Sequence, residues 1–165
     1  MMGVPRPAFS TDADEGAYRQ WKSVMGKRLK ARKHSMADRD LFLQTLWYES
    51  KRAGLEPAVV LGLIEVASNF EKSATNEAGA RGFMLVAARW SNEIGDGDTE
   101  KLFQTQANLR FGCILLRHYL DLFHGDLFLA LTTYRRQSLA YNETDASQLT
   151  DDFAYAVFAS RKRWV

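Results

Sequence analysis

The sequence predicts an all-α domain, and three observations support this. Apolar residues recur at helical spacing through most of the 165-residue chain. No stretch alternates apolar with polar residues, and no hairpin signal occurs. Gly54, Pro57 and Gly125 stand where helices would end or begin. From these patterns we expect about seven helices in one domain.

The first half of the chain predicts three helices. Residues 12–33 form a polar, basic helix whose apolar positions recur every three or four residues. A second helix covers 37–53 and ends at Gly54. A third begins with Pro57 in its first turn and runs to about Phe70.

The second half predicts a loop and four further helices. The segment 71–82 is polar and contains glycine, so we expect a loop there. Residues 135–148 carry no periodicity, and Thr150 is typical of an N-cap. The expected helices are 84–94, 105–123, 126–134 and a final one after Thr150.

Composition describes a soluble, globular chain. Apolar residues make up 46% and charged residues 25%, and the net charge is +2. Such a small net charge argues against a nucleic-acid partner. Two basic runs, 22–34 and 161–164, are typical of solvated helix faces, or of weak attraction to an anionic cell wall or membrane surface. We expect a monomer without a membrane span.

The start of the chain and its few cysteine and histidine residues argue against a signal peptide, a reactive thiol and a metal site. The first residues contain no apolar stretch typical of a signal peptide, so we expect a cytoplasmic protein or a mature form. Cys113 is the sole cysteine and stands among apolar residues, which favours a buried, inert thiol. The three histidines lack metal-ligand spacing, so we expect neither a metal nor a cofactor.

The third helix has an apolar face that includes Val60, Ile64 and Ala67. Glu65 lies about 200° from position 67 around the helix, so we expect it to face outward. A carboxylic acid at 67 would be desolvated against apolar neighbours, which would raise its pKa and suit a general acid. Considered from the helical pattern alone, the alanine at position 67 is typical of a small core residue.

Three blocks of the sequence resemble the catalytic domain of lytic transglycosylases of the soluble lytic type. They are "LGLIEVASNF", "NEAGARGFMLV" and "NLRFGCILLRHYLDLFHGDLFLALTTYR". The resemblance covers about 38–136, and "YAVFASRKRW" is similar to the family's closing helix. It implies the goose-type lysozyme architecture, with an N-terminal extension over 1–36, a core over 37–136 and a closing segment over 137–165.

The resemblance also implies an activity and a location. Members of this family cleave the MurNAc–GlcNAc bond of peptidoglycan in the periplasm or cell envelope. One glutamate first protonates the leaving oxygen and then acts as base toward the sugar's C6 hydroxyl, leaving a 1,6-anhydro product. The reaction uses no metal and no organic cofactor, and the expected partner is a peptidoglycan glycan strand.

Carried over residue by residue, the family pattern agrees at the scaffold and departs at the reaction centre. The catalytic glutamate corresponds to Ala67, the glutamine after the methionine to Leu85, and the asparagine after the tyrosine to Arg135. We therefore expect an inactive form that retains peptidoglycan binding. The resemblance implies substrate contacts at Ser68, Met84, Leu85, Trp90, Tyr134 and Arg135.

Two alternatives to an inactive binder stay open at this stage. Glu71 lies one turn beyond Ala67 and could substitute for the missing acid in an active enzyme, although a solvated surface carboxylate is the more usual role. The chain could equally be a scaffold that keeps only the fold. Arg135 and Arg136 are either solvated charges, ligands for an anionic group, or obstacles in the groove.

Overall fold

The structure is a computed structural model that describes residues 6–139 and 146–165, with side chains omitted for 146–148. Its described part contains seven α-helices, two short 3-10 helices and no strand, which confirms the all-α prediction. The α-helices are α1 Asp12–Arg32, α2 Arg39–Arg52, α3 Pro57–Ser68, α4 Arg89–Ile94, α5 Thr105–Leu122, α6 Leu127–Gln137 and α7 Ala146–Arg161. The 3-10 helices are Thr99–Phe103 and Lys162–Trp164.

Local sequence signals explain the ends of α1 and α3. The Thr11 hydroxyl caps α1 by accepting a hydrogen bond of 3.1 Å from the Asp14 amide. Pro57 occupies the first turn of α3. The helix ends at Ser68, two residues before the predicted end, because Asn69 and Phe70 adopt left-handed backbone conformations.

The left-handed turn after α3 sends Phe70 back into the core. Its ring centroid lies 6.1 Å from that of Phe42 on α2 and 5.5 Å from that of Trp164 near the end of the chain. Both contacts are edge-to-face, the arrangement that aromatic quadrupoles favour. The turn thus fastens the end of α3 to two distant elements.

The helix predicted at 84–94 is shorter than expected, since α4 begins at Arg89. Residues 80–87 form a buried loop instead, in which Arg81 and Val86 exchange backbone hydrogen bonds of 2.9 and 3.0 Å. The apolar residues 83–87 resemble the buried face of a helix, but they are apolar because they lie in a buried loop. Periodicity alone cannot distinguish these two reasons for a short apolar run.

Two further boundaries differ from the prediction. Helix α6 continues to Gln137, three residues beyond the predicted end. Helix α7 begins at Ala146, so Thr150 lies inside the helix and is buried rather than serving as its N-cap. Helices α6 and α7 pack against each other, and sequence periodicity cannot anticipate how such a contact extends a helix.

The core is continuous from α1 to the end of the chain. Helix α3 lies at its centre, and Val60, Leu61, Leu63 and Ile64 have no exposed surface. None of the described helices is both long and apolar enough to cross a membrane. Cys113 is fully buried, as predicted, and burial raises the pKa of its thiol well above the ordinary value.

Candidate functional site

Ala67 lies in the last turn of α3, half-buried and packed against the core. Its methyl group can neither donate nor accept a proton. Ser68, the next residue, is buried, and its hydroxyl donates a hydrogen bond of 3.1 Å to the Ile64 carbonyl of the same helix. The side chains at the end of α3 therefore supply no acid at position 67, and the neighbouring hydroxyl is engaged within the helix.

The prediction that Glu65 faces outward is wrong. Its side chain is buried, with 8% of the residue exposed. Arg163 donates a hydrogen bond of 2.8 Å to one carboxylate oxygen, and Arg32 and Ser160 donate further bonds. The prediction failed because α3 is enclosed, so the side opposite the apolar face meets α1 and the end of α7 rather than water.

The environment of Glu65 suits an ion pair and not a proton donor. Burial by itself raises the pKa of this carboxyl, but hydrogen bonds from Ser160, Arg32 and Arg163 outweigh it and hold the pKa below the usual value. A general acid near neutral pH requires the opposite shift. Glu65 is consequently a structural carboxylate.

Glu71, the proposed substitute acid, lies on the surface beyond the left-handed turn. Its carboxylate forms an ion pair with Lys33, which follows α1. The side chain is largely exposed, so position 71 does not offer the enclosed, water-poor setting in which a catalytic acid is usually held. The carboxylate at 71 is thus directed toward the α1–α2 connection.

The loop 80–87 is organised by Asn108 on α5. The Asn108 carboxamide accepts a hydrogen bond of 2.8 Å from the Met84 amide, and it donates to the carbonyls of Arg81 and Leu102 at 2.7 and 2.8 Å. Gly82 has a positive φ, and a Cβ atom there would overlap the Asn108 side chain. The glycine is therefore required by both backbone conformation and space.

Tyr134 on α6 holds the same loop from the other side. Its hydroxyl donates a hydrogen bond of 2.7 Å to the Met84 carbonyl. Tyr134 and Met84 are both fully buried, and burial raises the pKa of the tyrosine well above its ordinary value. The phenol is accordingly a neutral hydrogen-bond donor in the folded protein.

Gln137 is a site residue that sequence reasoning missed. Its side-chain amide donates 2.9 Å to the Leu85 carbonyl, and its carbonyl oxygen accepts from the Ala87 amide at 3.0 Å and the Trp90 indole at 3.2 Å. Gln137 is 4% exposed. It lies three residues after Tyr134, on the same face of α6. This helical spacing was the sequence signal that could have placed Gln137 beside Tyr134.

Leu85 adopts a left-handed backbone conformation with φ of 46° and is buried. A leucine rarely occupies this region, and such strain persists only where surrounding contacts impose it. The hydrogen bond from Gln137 to the Leu85 carbonyl is one such contact. Position 85, where the resemblance implies a glutamine, is thus apolar and enclosed.

Arg135 and Arg136 have different surroundings at the end of α6. Arg135 is half-buried, donates a hydrogen bond of 3.2 Å to the Ser138 hydroxyl, and has its guanidinium carbon 5.4 Å from the centre of the Phe153 ring. Arg136 is exposed. Arg135 is therefore oriented by its neighbours, as a preorganised anion ligand would be.

The structure brings Met84, Leu85, Trp90 and Tyr134 together through the hydrogen bonds of Gln137 and Tyr134. Ala67 and Ser68 lie separately at the end of α3, and Glu71 is held by Lys33. Within residues 6–139 and 146–165, no group of three or more His, Cys, Asp or Glu side chains could hold a metal ion.

Comparison with known proteins identifies the family. The sequence model of one protein family, described as the transglycosylase SLT domain, matches residues 45–153 of this chain. A search of curated proteins by sequence finds no match. Among solved structures, the chain is similar to lytic transglycosylase Slt from Pseudomonas aeruginosa, an inactive mutant, with a TM-score of 0.62 and 20% identity.

That similarity covers 92% of this chain but only 29% of the Pseudomonas chain, so the two share a fold over a fraction of the larger protein. The family match spans Ala67, the loop 80–87 and all of α6, which are the elements described above. With its lysozyme-like helical fold and this match over most of its length, the chain belongs to the transglycosylase SLT domain family.

Proposed function

We propose that this protein is a catalytically inactive member of the family that binds peptidoglycan glycan strands without cleaving them. One observation carries the proposal. Ala67 stands where the family pattern has its catalytic glutamate, and the two nearest carboxylates along the chain, Glu65 and Glu71, are both held in ion pairs.

The chemistry explains why the loss at position 67 matters. Cleavage of a glycosidic bond requires an acid that protonates the leaving oxygen as the bond breaks. In the transglycosylase reaction the same group then accepts the proton of the C6 hydroxyl. Removing one general acid typically slows a reaction about 10²–10⁴-fold. Because a single side chain would serve both steps, its loss should cost more.

The neighbouring carboxylates are poor replacements. Glu65 is bonded to Arg32 and Arg163, and its pKa is lowered, so it stays ionised near neutral pH. Glu71 is paired with Lys33 and largely exposed. A catalytic group displaced by even about 1 Å loses much of its positioning advantage. These facts favour an inactive protein over an enzyme with a relocated acid.

Retained binding is supported by the scaffold around the loop 80–87. Tyr134, Gln137 and Asn108 hold that loop through hydrogen bonds of 2.7 to 3.2 Å, so its shape does not depend on a residue at 67. Trp90 is half-buried and offers part of an indole ring on which a sugar could stack. An oriented Arg135 suits a carboxylate of peptidoglycan, either on a stem peptide or on a lactyl group that carries no peptide.

The proposed setting follows from the proposed ligand. Peptidoglycan lies in the cell envelope, so a protein that binds its strands acts there. Ser68, Met84 and Leu85 then contribute to the shape of the site rather than to direct sugar contacts, because all three are buried.

The experiment compares the protein with its Ala67→Glu variant on purified peptidoglycan. Mass spectrometry of the soluble fraction detects 1,6-anhydro-muropeptides, and co-sedimentation with insoluble peptidoglycan measures binding. We expect the protein to sediment with peptidoglycan and to release no product. An Arg135→Ala variant should sediment less, whereas Arg19→Ala, an exposed change on α1, should not.

Two results would contradict the proposal. Release of anhydro products by the protein itself would identify an active enzyme, and their loss in Glu71→Gln would assign the acid to Glu71. If the protein unfolds cooperatively, and is therefore folded, but does not sediment with peptidoglycan, the remaining alternative is a scaffold that keeps the fold without binding glycan. Release by Ala67→Glu alone would show that the remaining site is competent.

A further inference from the structure

A cavity lies where the last two turns of α1 meet the end of the chain. It has a volume of about 400 Å³ and is lined by Arg28, Ala31, Arg32, Arg163 and Trp164. We call it the arginine cavity. Its lining includes none of the candidate site residues, all of which lie in the described part of the chain.

The cavity brings together the two basic runs of the sequence, 22–34 and 161–164. Arg28 and Arg32 belong to the first run, and Arg163 belongs to the second. Arg28 and Arg163 are 135 residues apart along the chain. The tertiary structure therefore concentrates in one place the positive charge that the sequence distributes over both ends of the chain.

Hydrogen bonds hold the three guanidinium groups of the cavity in place. Arg28 donates to the Arg163 carbonyl at 3.1 Å and to an oxygen of Val165 at 2.8 Å. Arg163 donates to the Glu65 carboxylate at 2.8 Å, and Arg32 donates to the same carboxylate. The cavity is thus preorganised, because a ligand need not immobilise these long side chains itself.

The arginines that line the cavity keep donors to spare. Among the described residues, Arg32 uses only its Nε atom, whereas Arg28 and Arg163 each use one terminal nitrogen. Each guanidinium group therefore keeps two nitrogens whose N–H groups have no acceptor within the described part of the chain. Glu65 cannot supply one, because it is buried and both of its oxygens already accept hydrogen bonds.

Trp164 is a second and independent sign that an acceptor is missing here. The residue is 2% exposed, and its indole N–H is a buried donor without a hydrogen-bond partner among the described residues. An unpaired buried donor is unfavourable, so an acceptor beside it would be stabilising. The N–H is covered, and a ligand would reach it only if the chain end shifted, so the exposed arginines make the first contacts.

Positive charge exceeds negative charge at the cavity. Three guanidinium groups stand against the Glu65 carboxylate, and one positive charge remains even when a terminal carboxylate on Val165 is counted. The side chains of Arg32 and Arg163 are 44% and 51% exposed, so an ion in solution can reach them. Donors in excess and net positive charge together favour an anionic ligand.

We propose that the arginine cavity binds a phosphate group, either of a soluble phosphate ester or of a phospholipid headgroup. A phosphate group carries one or two negative charges and several acceptor oxygens, which arginines bind in a bidentate manner. A carboxylate is planar and has two oxygens, whereas the guanidinium groups here come from two different elements. This site goes beyond the proposed function, because it shares no residue with the glycan site.

The test places a carboxylate in the cavity without removing an arginine. Ala31→Glu does so at an exposed lining position, and Ala17→Glu is the matched control, with the same change at another exposed position of α1. A second variant, Arg28→Gln, removes one cation and spares the bonds to Glu65. Its control is Arg19→Gln, also exposed on α1.

Two measurements distinguish the possible sources of the phosphate group. Calorimetric titration at constant ionic strength uses inorganic phosphate, glycerol phosphate and, for comparison, acetate. Flotation uses vesicles of phosphatidylcholine with and without phosphatidylglycerol. Urea unfolding of each variant shows whether the fold is retained.

We expect Ala31→Glu and Arg28→Gln to bind inorganic phosphate about tenfold more weakly than the wild type, as loss of one charge-assisted contact implies. Both controls should bind like the wild type, and co-sedimentation with peptidoglycan should be unchanged in all variants. Ala31→Glu should unfold at the same urea concentration as Ala17→Glu, because Glu65 keeps all its partners.

The vesicle experiment assigns the source of the phosphate group. Flotation that requires phosphatidylglycerol and is lost in Ala31→Glu, together with phosphate binding, would assign the cavity to a headgroup. Binding of inorganic and glycerol phosphate without flotation would assign it to a soluble ester. Both results support the proposal.

Other outcomes would overturn it. These are no binding of inorganic phosphate by the wild type, equal binding by the wild type and Ala31→Glu, or binding of acetate as tight as that of phosphate. Flotation without any binding of soluble phosphate would replace the site with diffuse attraction between a basic surface and an anionic membrane.

Discussion

Glu65 of α3 and Arg163 near the end of the chain are joined by a hydrogen bond of 2.8 Å between a carboxylate oxygen and a guanidinium nitrogen. Arg32 at the end of α1 bonds the other oxygen of the same carboxylate. This single side chain therefore fastens the first and last helical segments to the central helix. It does so two residues before Ala67 in the same helix.

Replacing Glu65 with alanine should destabilise the fold by about 2 kcal/mol, because Arg32 and Arg163 lose their shared partner and Ser160 loses its acceptor. The estimate stays below the cost of breaking a fully buried pair, since both arginine side chains are about half exposed. Urea unfolding measures the change. Glu15→Ala, which breaks an exposed pair on α1, should cost much less, and equal costs would refute a special role for Glu65.

The lowered pKa of Glu65 predicts a pH dependence with a definite sign. The folded-state pKa lies below the ordinary value of 4.5, so the ionised carboxylate stabilises the fold above that value. This stability is lost as the pH falls through the folded-state pKa. The wild type should therefore lose its stability advantage over Glu65→Gln on acidification below about pH 4.5. Urea midpoints of both proteins between neutral and acidic pH test this, and a constant difference would contradict it.

Replacing Gln137 with alanine should loosen the loop 80–87, because the Leu85 carbonyl and the Ala87 amide lose their partners inside the protein. Unsatisfied buried groups cost about 1–3 kcal/mol each, so we expect a loss of about 2 kcal/mol. Hydrogen exchange at the Ala87 amide should accelerate more than exchange in α2. Gln20→Ala, an exposed change on α1, should leave both measurements unaltered.

Gly112→Ala should destabilise the protein, since a Cβ atom there would overlap the Met84 sulfur and lie 2.7 Å from its methyl group. Overpacking of this kind typically costs about 1–3 kcal/mol. The double change with Met84→Ala should lose less stability than the two single losses added together, because the clash is removed. Gly16→Ala on α1 should be neutral or stabilising by about 0.5–1 kcal/mol, as no atom lies within 4 Å of its added Cβ. Thermal or urea unfolding of the four variants decides between these expectations.

Several features could be predicted from the sequence because their causes are local. Helical periodicity predicted seven helices, and Gly54, Pro57 and Gly125 lie at or within three residues of helix ends, whereas Thr150 lies inside α7. Burial of Cys113 followed from its apolar neighbours. The blocks around Ala67 and Tyr134 were enough to recognise the family that the match over 45–153 shows.

Other features depended on partners far along the chain and were out of reach of local patterns. The burial of Glu65 requires Arg32 and Arg163, which are 33 and 98 residues away. The role of Gln137 requires Leu85, 52 residues away. Periodicity specifies which face of a helix is apolar, but it cannot say whether the opposite face meets water or another helix.

By itself, then, the sequence determined the helical class, the family and the absence of an acid at position 67, because each depends on residue identity and short-range spacing. Only the tertiary structure decided that Glu65 is a buried ion-pair partner, that Glu71 is bound to Lys33, and that Gln137 holds the loop. The reason is physical: the charge state and accessibility of a side chain depend on what packs against it, and packing is a property of the whole fold.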